Sequence, residues 1–204
     1  QKQNQVDRAQ EHIAWLTQEF QNVSGKTIDL DAVFTAFSNV TSKEDTSDAA
    51  LLSLANSRSR LRMVTLYYFA ARNRYLVAGT GNKVEDFGVG FYTKYGDGGV
   101  DLSPIADLMK TEVRVLAKEL GVSDSILKAP PTDGLWDDDR NDEQQLGATY
   151  AQLEWAMEQH QQGKKAEDFD GENAQVMKIF IRHHNANKHK MNPIPVCNIP
   201  SALR

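Results

Sequence analysis

The stretch Tyr75–Asp101, YLVAGTGNKVEDFGVGFYTKYGDGGVD, constrains the fold more than any other part of the chain. It opens with four apolar residues, Tyr75-Leu76-Val77-Ala78, and breaks at Gly79-Thr80-Gly81. An apolar run this short, closed by glycine, suits a fully buried parallel strand. In open α/β sheets, ligands sit just beyond the carboxyl ends of such strands. The polar residues that follow, from Thr80 and Glu85 to Lys94, Asp97 and Asp101, therefore fall where a nucleotide site is expected.

The rest of the chain alternates helical patterns with short apolar runs. Val6, Ala9, Ile13, Leu16 and Phe20 recur at three- and four-residue spacing, which predicts an amphipathic helix from about Val6 to Phe20. A short strand is expected around Lys26–Leu30, then a helix capped by Asp31. A polar linker, Thr41–Ser47, leads into a long helix from Asp48 to about Arg72. Ser103-Pro104 predicts the start of another helix, because serine caps well and proline suits the first helical position. Gly121 ends that helix. Pro130-Pro131 keeps the loop 129–139 irregular. A helix carrying Leu146, Tyr150, Leu153 and Met157 follows, then a linker from Gly163 to Gly171 and a last helix from Glu172 to about Asn187. Helices alternating with strands argue for an α/β fold, a doubly wound, mostly parallel sheet flanked by helices.

Composition narrows the function classes. With 204 residues the chain suffices for one domain with a sizeable core. A net charge of −5 argues against a general nucleic-acid binder, although local basic clusters can still hold phosphates. No apolar run approaches the ~20 residues that span a bilayer. The lone cysteine, Cys197, lies in a Pro-rich tail and forbids an internal disulfide, which suits a reducing cytoplasm.

Taken alone, each candidate site residue has two readings. Thr80 closes a strand, or offers its hydroxyl to a nucleotide. Glu85 is an acid favoured at a helix start, or a carboxylate for magnesium. Lys94 and Asp101 are solvated charges on a glycine-rich hairpin, or phosphate and ribose contacts. Lys110 and Thr132 are a helical lysine and a loop hydroxyl, or groups that reach ATP. Arg58, Arg60 and Arg62 stand two residues apart, so they do not share one helix face. His189-Lys190 is a basic helix end. Ser24-Gly25-Lys26-Thr27 imitates the end of a Walker A loop, but Phe20 stands where its first glycine is required.

The ordered set of these segments closely resembles ammonia-dependent NAD synthetase, a family of the ATP pyrophosphatase (PP-loop) superfamily. The resemblance runs through 75–101, through DLSPIADLMKTEVRVLAKELGV (101–122) and APPTDGLWDDD (129–139), and returns at His189-Lys190. It implies an adenine-nucleotide-hydrolase-like α/β fold. It implies an ATP-dependent ligase that amidates deamido-NAD with ammonia through an adenylate, releasing AMP and pyrophosphate. By similarity Thr80, Lys110 and Thr132 would contact ATP, and Glu85 would bind magnesium. Arg60, Lys94, Asp101, His189 and Lys190 would contact deamido-NAD. A cytoplasmic homodimer is expected from the family. The superfamily's Ser-Gly-Gly-x-Asp-Ser phosphate loop does not occur in these residues, so residues 1–204 are expected to be a single synthetase domain incomplete at its amino end. The alternatives are another amidating enzyme of the superfamily, or a non-catalytic nucleotide-binding module. Loops 81–100 and 129–140 are expected as lids.

Overall fold

A computed structural model describes residues 3–41, 45–136 and 140–204. Eight α-helices lie among them: α1 Gln3–Glu19, α2 Asp31–Thr41, α3 Asp48–Asn73, α4 Lys110–Glu119, α5 Asp124–Leu127, α6 Asp142–Leu146, α7 Tyr150–Gln161 and α8 Gly171–Met191. A π-helical turn, Val84–Val89, follows the glycine break. Residues 137–139 of the expected Pro-Pro loop lie outside the described residues, as do 42–44 of the linker.

The main core forms where α7 and α8 pack on the π-helical turn. Val84, Leu146, Tyr150, Leu153, Met157, Met177 and Phe180 are all buried there. Burying a side chain of this size contributes about 1.5–3 kcal/mol, so these residues outweigh the small helical propensities. Gly88 lies at the centre of the packing. A Cβ there would meet Met157, Val84 and Phe180 at 3.2–3.3 Å. A smaller cluster joins Met63 and Ala70 of α3 to Val77, with Val100 against it.

The expected sheet is reduced among the described residues to one parallel bridge, Ala78 with Leu102. Gly79 N–H donates to Leu102 O at 2.7 Å and Asp101 N–H to Val77 O at 3.0 Å. The expectation of a fully buried strand at Tyr75–Ala78 is corrected: only Val77 is buried, while Tyr75 and Leu76 are 72% and 69% exposed. Among the described residues no strand pairing is found at Lys26–Leu30. Lys26 instead places its ammonium 4.4 Å from the Phe69 ring centroid.

Four helix boundaries also differ from expectation. The helix expected at Ser103-Pro104 starts at Lys110. The Leu108 carbonyl, which a continuous helix would offer to residue 112, accepts Lys83 N–H at 2.8 Å instead. Residues 104–108 therefore form turns, and Glu112 caps Met109 N–H at 2.7 Å. The helix expected through Leu146 and Tyr150 is two helices. Gly147 turns left-handed at φ 82°, and Thr149 caps α7 by accepting from Gln152 N–H. At α2, Asp31 is already the first helical residue, and its N–H is held by Asp29 Oδ1 at 2.8 Å. The last helix runs on to Met191, because its final turn is anchored by contacts at Lys190 and His189.

Candidate active site

α3, the π-helical turn, the start of α4 and the end of α8 bring most of the predicted site residues to two neighbouring clusters. The first is built on Glu85. Its carboxylate, 13% exposed, accepts from the Lys110 ammonium at 3.0 Å. Lys110 is the first residue of α4, so its side chain leaves the helix at the positive end. The Tyr150 hydroxyl donates to the same Glu85 oxygen and lies 3.3 Å from Asp142 Oδ2. Lys110 also sits 5.0 Å above the Tyr150 ring.

The electrostatics of this cluster follow from its burial. Asp142 is only 6% exposed, and burial pushes its carboxyl up to about 6, with Asp133 and Glu85 adding like charge and Lys110 opposing. Burial, then the Glu85 charge, raises the Tyr150 phenol well above its ordinary range. Asp86, beside Glu85, is likewise pushed up to about 6 by burial, then by Glu85 and Asp97. Its carboxylate lies against Gly81, where a Cβ would come within 2.2 Å.

The second cluster is the glycine loop, 93–99. Asp97 accepts from Ser59 Oγ at 2.6 Å and from Thr93 N–H at 3.1 Å. Arg60 Nε donates to the Lys94 carbonyl at 3.1 Å, and the Lys94 ammonium donates to the His189 carbonyl at 3.0 Å. Lys190 donates to the carbonyls of Gly90 and Tyr92, each at 2.8 Å, and burial pulls its ammonium down. Arg60, Lys94, His189 and Lys190 thus meet at one end of α8. Their polar atoms are held largely by main-chain carbonyls.

Asp101 and the two threonines stand apart from these contacts. Asp101 accepts from Val77 N–H at 2.8 Å and from Tyr67 Oη at 3.0 Å, so it braces the bridge. Thr80 is exposed just past that bridge. Thr132 is exposed and accepts Gly134 N–H at 3.3 Å. Arg58 and Arg62, one turn apart, both face this loop. Arg58 donates to Leu135 O at 2.6 Å and Arg62 to Gly134 O at 2.9 Å. A cavity of about 870 Å³, lined by Lys26, Arg62, Phe69, Val77 and Ala78, holds none of the predicted site residues.

Sequence reasoning missed Tyr150, Asp142 and Glu154. Glu154, 8% exposed, accepts from Thr111 N–H and Thr111 Oγ1 at 3.0 and 2.7 Å and so ties α4 to α7. Tyr150 looked like one member of an apolar stripe, and only its hydroxyl, a polar tip on a core residue, could have signalled more.

Magnesium needs only one or two protein carboxylates when phosphates supply the remaining oxygens. Among the described residues, no group of three His, Cys, Asp or Glu could hold a metal ion by itself. Glu85, half-enclosed and already matched to a cation, fits the single-carboxylate pattern.

Residues 1–194 match the family model described as NAD synthase. The NH(3)-dependent NAD(+) synthetase of Mesoplasma florum is 39% identical over 166 residues, 81% of this chain and 62% of the relative. That of Methanosarcina acetivorans is 36% identical over 185 residues, 89% of this chain and 69% of the relative. A solved structure of NMN synthetase from Francisella tularensis superposes with a TM-score of 0.79 at 29% identity, over 97% of this chain and 74% of that one. The fold is thus that of an α/β synthetase. No helix among the described residues is long and apolar enough to cross a membrane. The match over residues 1–194, together with these relatives, places the chain in the NAD synthase family.

Proposed function

We propose that this chain carries the substrate-binding part of an ammonia-dependent NAD synthetase, an ATP-consuming ligase that forms a C–N bond. It spans 62% of the length of the Mesoplasma florum relative, so the activity of a whole synthetase is an inference here. The observation that carries the reading is the Glu85–Lys110 pair. A carboxylate and an ammonium from separate elements are held 3.0 Å apart where α4 presents its positive end.

In this reading Lys110, with Thr80 and Thr132, holds ATP. Glu85 holds magnesium, which supplies positive charge to the phosphate oxygens. Arg60, Lys94, Asp101, His189 and Lys190 hold deamido-NAD. The nicotinate carboxylate attacks the α-phosphorus of ATP, the bond to pyrophosphate breaks, and an acyl adenylate forms. Ammonia then attacks the acyl carbon, AMP leaves, and the amide of NAD results. The protein's share is positioning and charge stabilisation. The Ala78–Leu102 bridge is one rung of the doubly wound parallel sheet, and residues 1–204 belong to a single synthetase domain. A cytoplasmic homodimer goes with the same reading.

A second reading replaces the dinucleotide acid with its mononucleotide. It is favoured by the likeness to the NMN synthetase of Francisella tularensis at a TM-score of 0.79.

The test is amide formation from ¹⁵N-ammonium with ATP and magnesium, using deamido-NAD or nicotinate mononucleotide, each component omitted in turn. Label in NAD that needs all four supports the first reading, and label only in the mononucleotide amide supports the second. No label in either product sinks both.

A further inference from the structure

Tyr150 touches both members of the Glu85–Lys110 pair. Its hydroxyl donates to Glu85, and its ring face lies 5.0 Å from the Lys110 ammonium. It is 1% exposed and opens α7, where Thr149 caps the helix and Glu143 accepts Tyr150 N–H at 2.9 Å. The ring and its hydroxyl are thus shielded from water.

A phenol carries one proton. Tyr150 donates it to Glu85 Oε1, the oxygen that also accepts from the Lys110 ammonium. The same hydroxyl lies 3.3 Å from Asp142 Oδ2 as a second, longer donor contact. The other Asp142 oxygen, Oδ1, is buried and has no hydrogen-bond partner among the described residues.

We propose that Tyr150 is a positioning residue that fixes the orientation of Glu85 and so sets how well this carboxylate accepts a divalent cation. The inference rests on the reading of Glu85 as the magnesium-binding carboxylate. The Tyr150 hydroxyl donates to Glu85 from one side and the Lys110 ammonium from the other. Outer-shell hydrogen bonds of this kind orient metal-binding groups.

Tyr150→Phe tests it, because phenylalanine keeps the core packing and the ring beneath Lys110 and removes only the hydroxyl. The magnesium half-saturation for amide formation is expected to rise about tenfold, the usual effect of removing an outer-shell partner, with the thermal midpoint and the KM for the acid substrate little changed. Wild-type magnesium dependence in Tyr150→Phe overturns the proposal. Direct Mn²⁺ binding, followed by electron paramagnetic resonance on wild type and Tyr150→Phe, separates this failure from failure of the proposed activity. Weaker Mn²⁺ binding in the variant upholds the positioning role even if no amide forms, and equal or absent binding in both proteins overturns it.

Discussion

The Lys94 ammonium donates to the main-chain carbonyl of His189 across 3.0 Å, linking the glycine loop to the last turn of α8. Arg60 of α3 donates to the Lys94 carbonyl from the other side, so residue 94 sits between two helices distant in sequence. The contact is exposed and screened by water, so it contributes little to stability. Lys94→Ala is therefore expected to shift the urea midpoint negligibly, by less than about 0.5 kcal/mol. The kcat/KM for the acid substrate should fall about tenfold or more, the worth of one lost charge-assisted contact. Equal loss of stability and of activity would show that Lys94 acts only as a brace.

The Glu85–Lys110 pair is partly enclosed, with side chains 13% and 25% exposed. Removing one partner leaves the other without its counter-charge. Lys110→Met should destabilise the fold by about 1–3 kcal/mol, and the double variant Lys110→Met with Glu85→Gln should recover part of that loss. Chemical denaturation of the four proteins gives the coupling directly. Additive losses would show that the pair contributes no mutual stabilisation.

Gly90 turns left-handed at φ 63°, and a Cβ there would stand 2.5 Å from Asn187 Cβ. Asn187 donates to Val89 O at 2.9 Å and cannot withdraw without breaking that contact. Gly90→Ala combines backbone strain with a clash against a helix and is expected to cost about 2–4 kcal/mol. A drop of several degrees in the melting temperature is the expected readout. An unchanged melting temperature would mean that α8 shifts freely.

His183 accounts for a pH dependence. Its Nε2 lies 3.0 Å from Leu146 O, a contact that needs a proton on that nitrogen and opposes the lowering by burial. Burial, with Arg182 and Lys190 nearby, pulls its pKa below 6.5. In the unfolded chain the ring takes up a proton near its ordinary value, whereas in the fold it resists. The unfolded state thus binds more protons as the pH falls through 6.5, and stability is lost on acidification until the lower folded pKa is passed. His183→Gln cannot titrate. The stability advantage of wild type over this variant should shrink between pH 7.5 and 5.5, as measured by urea midpoints at each pH. A gap that stays constant or widens would show that His183 is not held neutral.

Arg58 and Arg62 hold the loop around Thr132 by donating to the carbonyls of Asp133, Gly134 and Leu135. Replacing both with alanine should raise the rate of limited proteolysis at 132–135 about tenfold, because these contacts make the local opening costly. The global unfolding midpoint should move less. An unchanged cleavage rate would mean that other contacts hold the loop. The expectation that this loop and 81–100 act as lids is tested by the same cleavage with and without ATP and the acid substrate.

The local devices were legible because they depend on near neighbours. The amphipathic spacing of Val6, Ala9, Ile13 and Leu16 forms α1, and Gly121 ends α4 at φ 77°. The long glycine-bearing motifs also marked the family, since residues 1–194 match it. The helix starts at Ser103 and near Leu146 were misplaced for a physical reason. The Leu108 carbonyl is taken by Lys83, twenty-five residues away, and the break at Gly147 lets Tyr150 enter the core at the head of α7.

Side-chain partners across the chain were decided only by tertiary structure. The sequence by itself determined which residues carry charge and which helices are amphipathic, because hydrogen-bond caps and apolar periodicity act within a few residues. Packing of α7 and α8 on the π-helical turn decided that Tyr150 and Asp142 stand behind Glu85, that Arg62 turns from Arg60 toward the Thr132 loop, and that Lys190 spends its ammonium on two carbonyls. Burial raises the cost of every unpaired polar atom, and which atoms are buried together is set by the folded arrangement of distant segments.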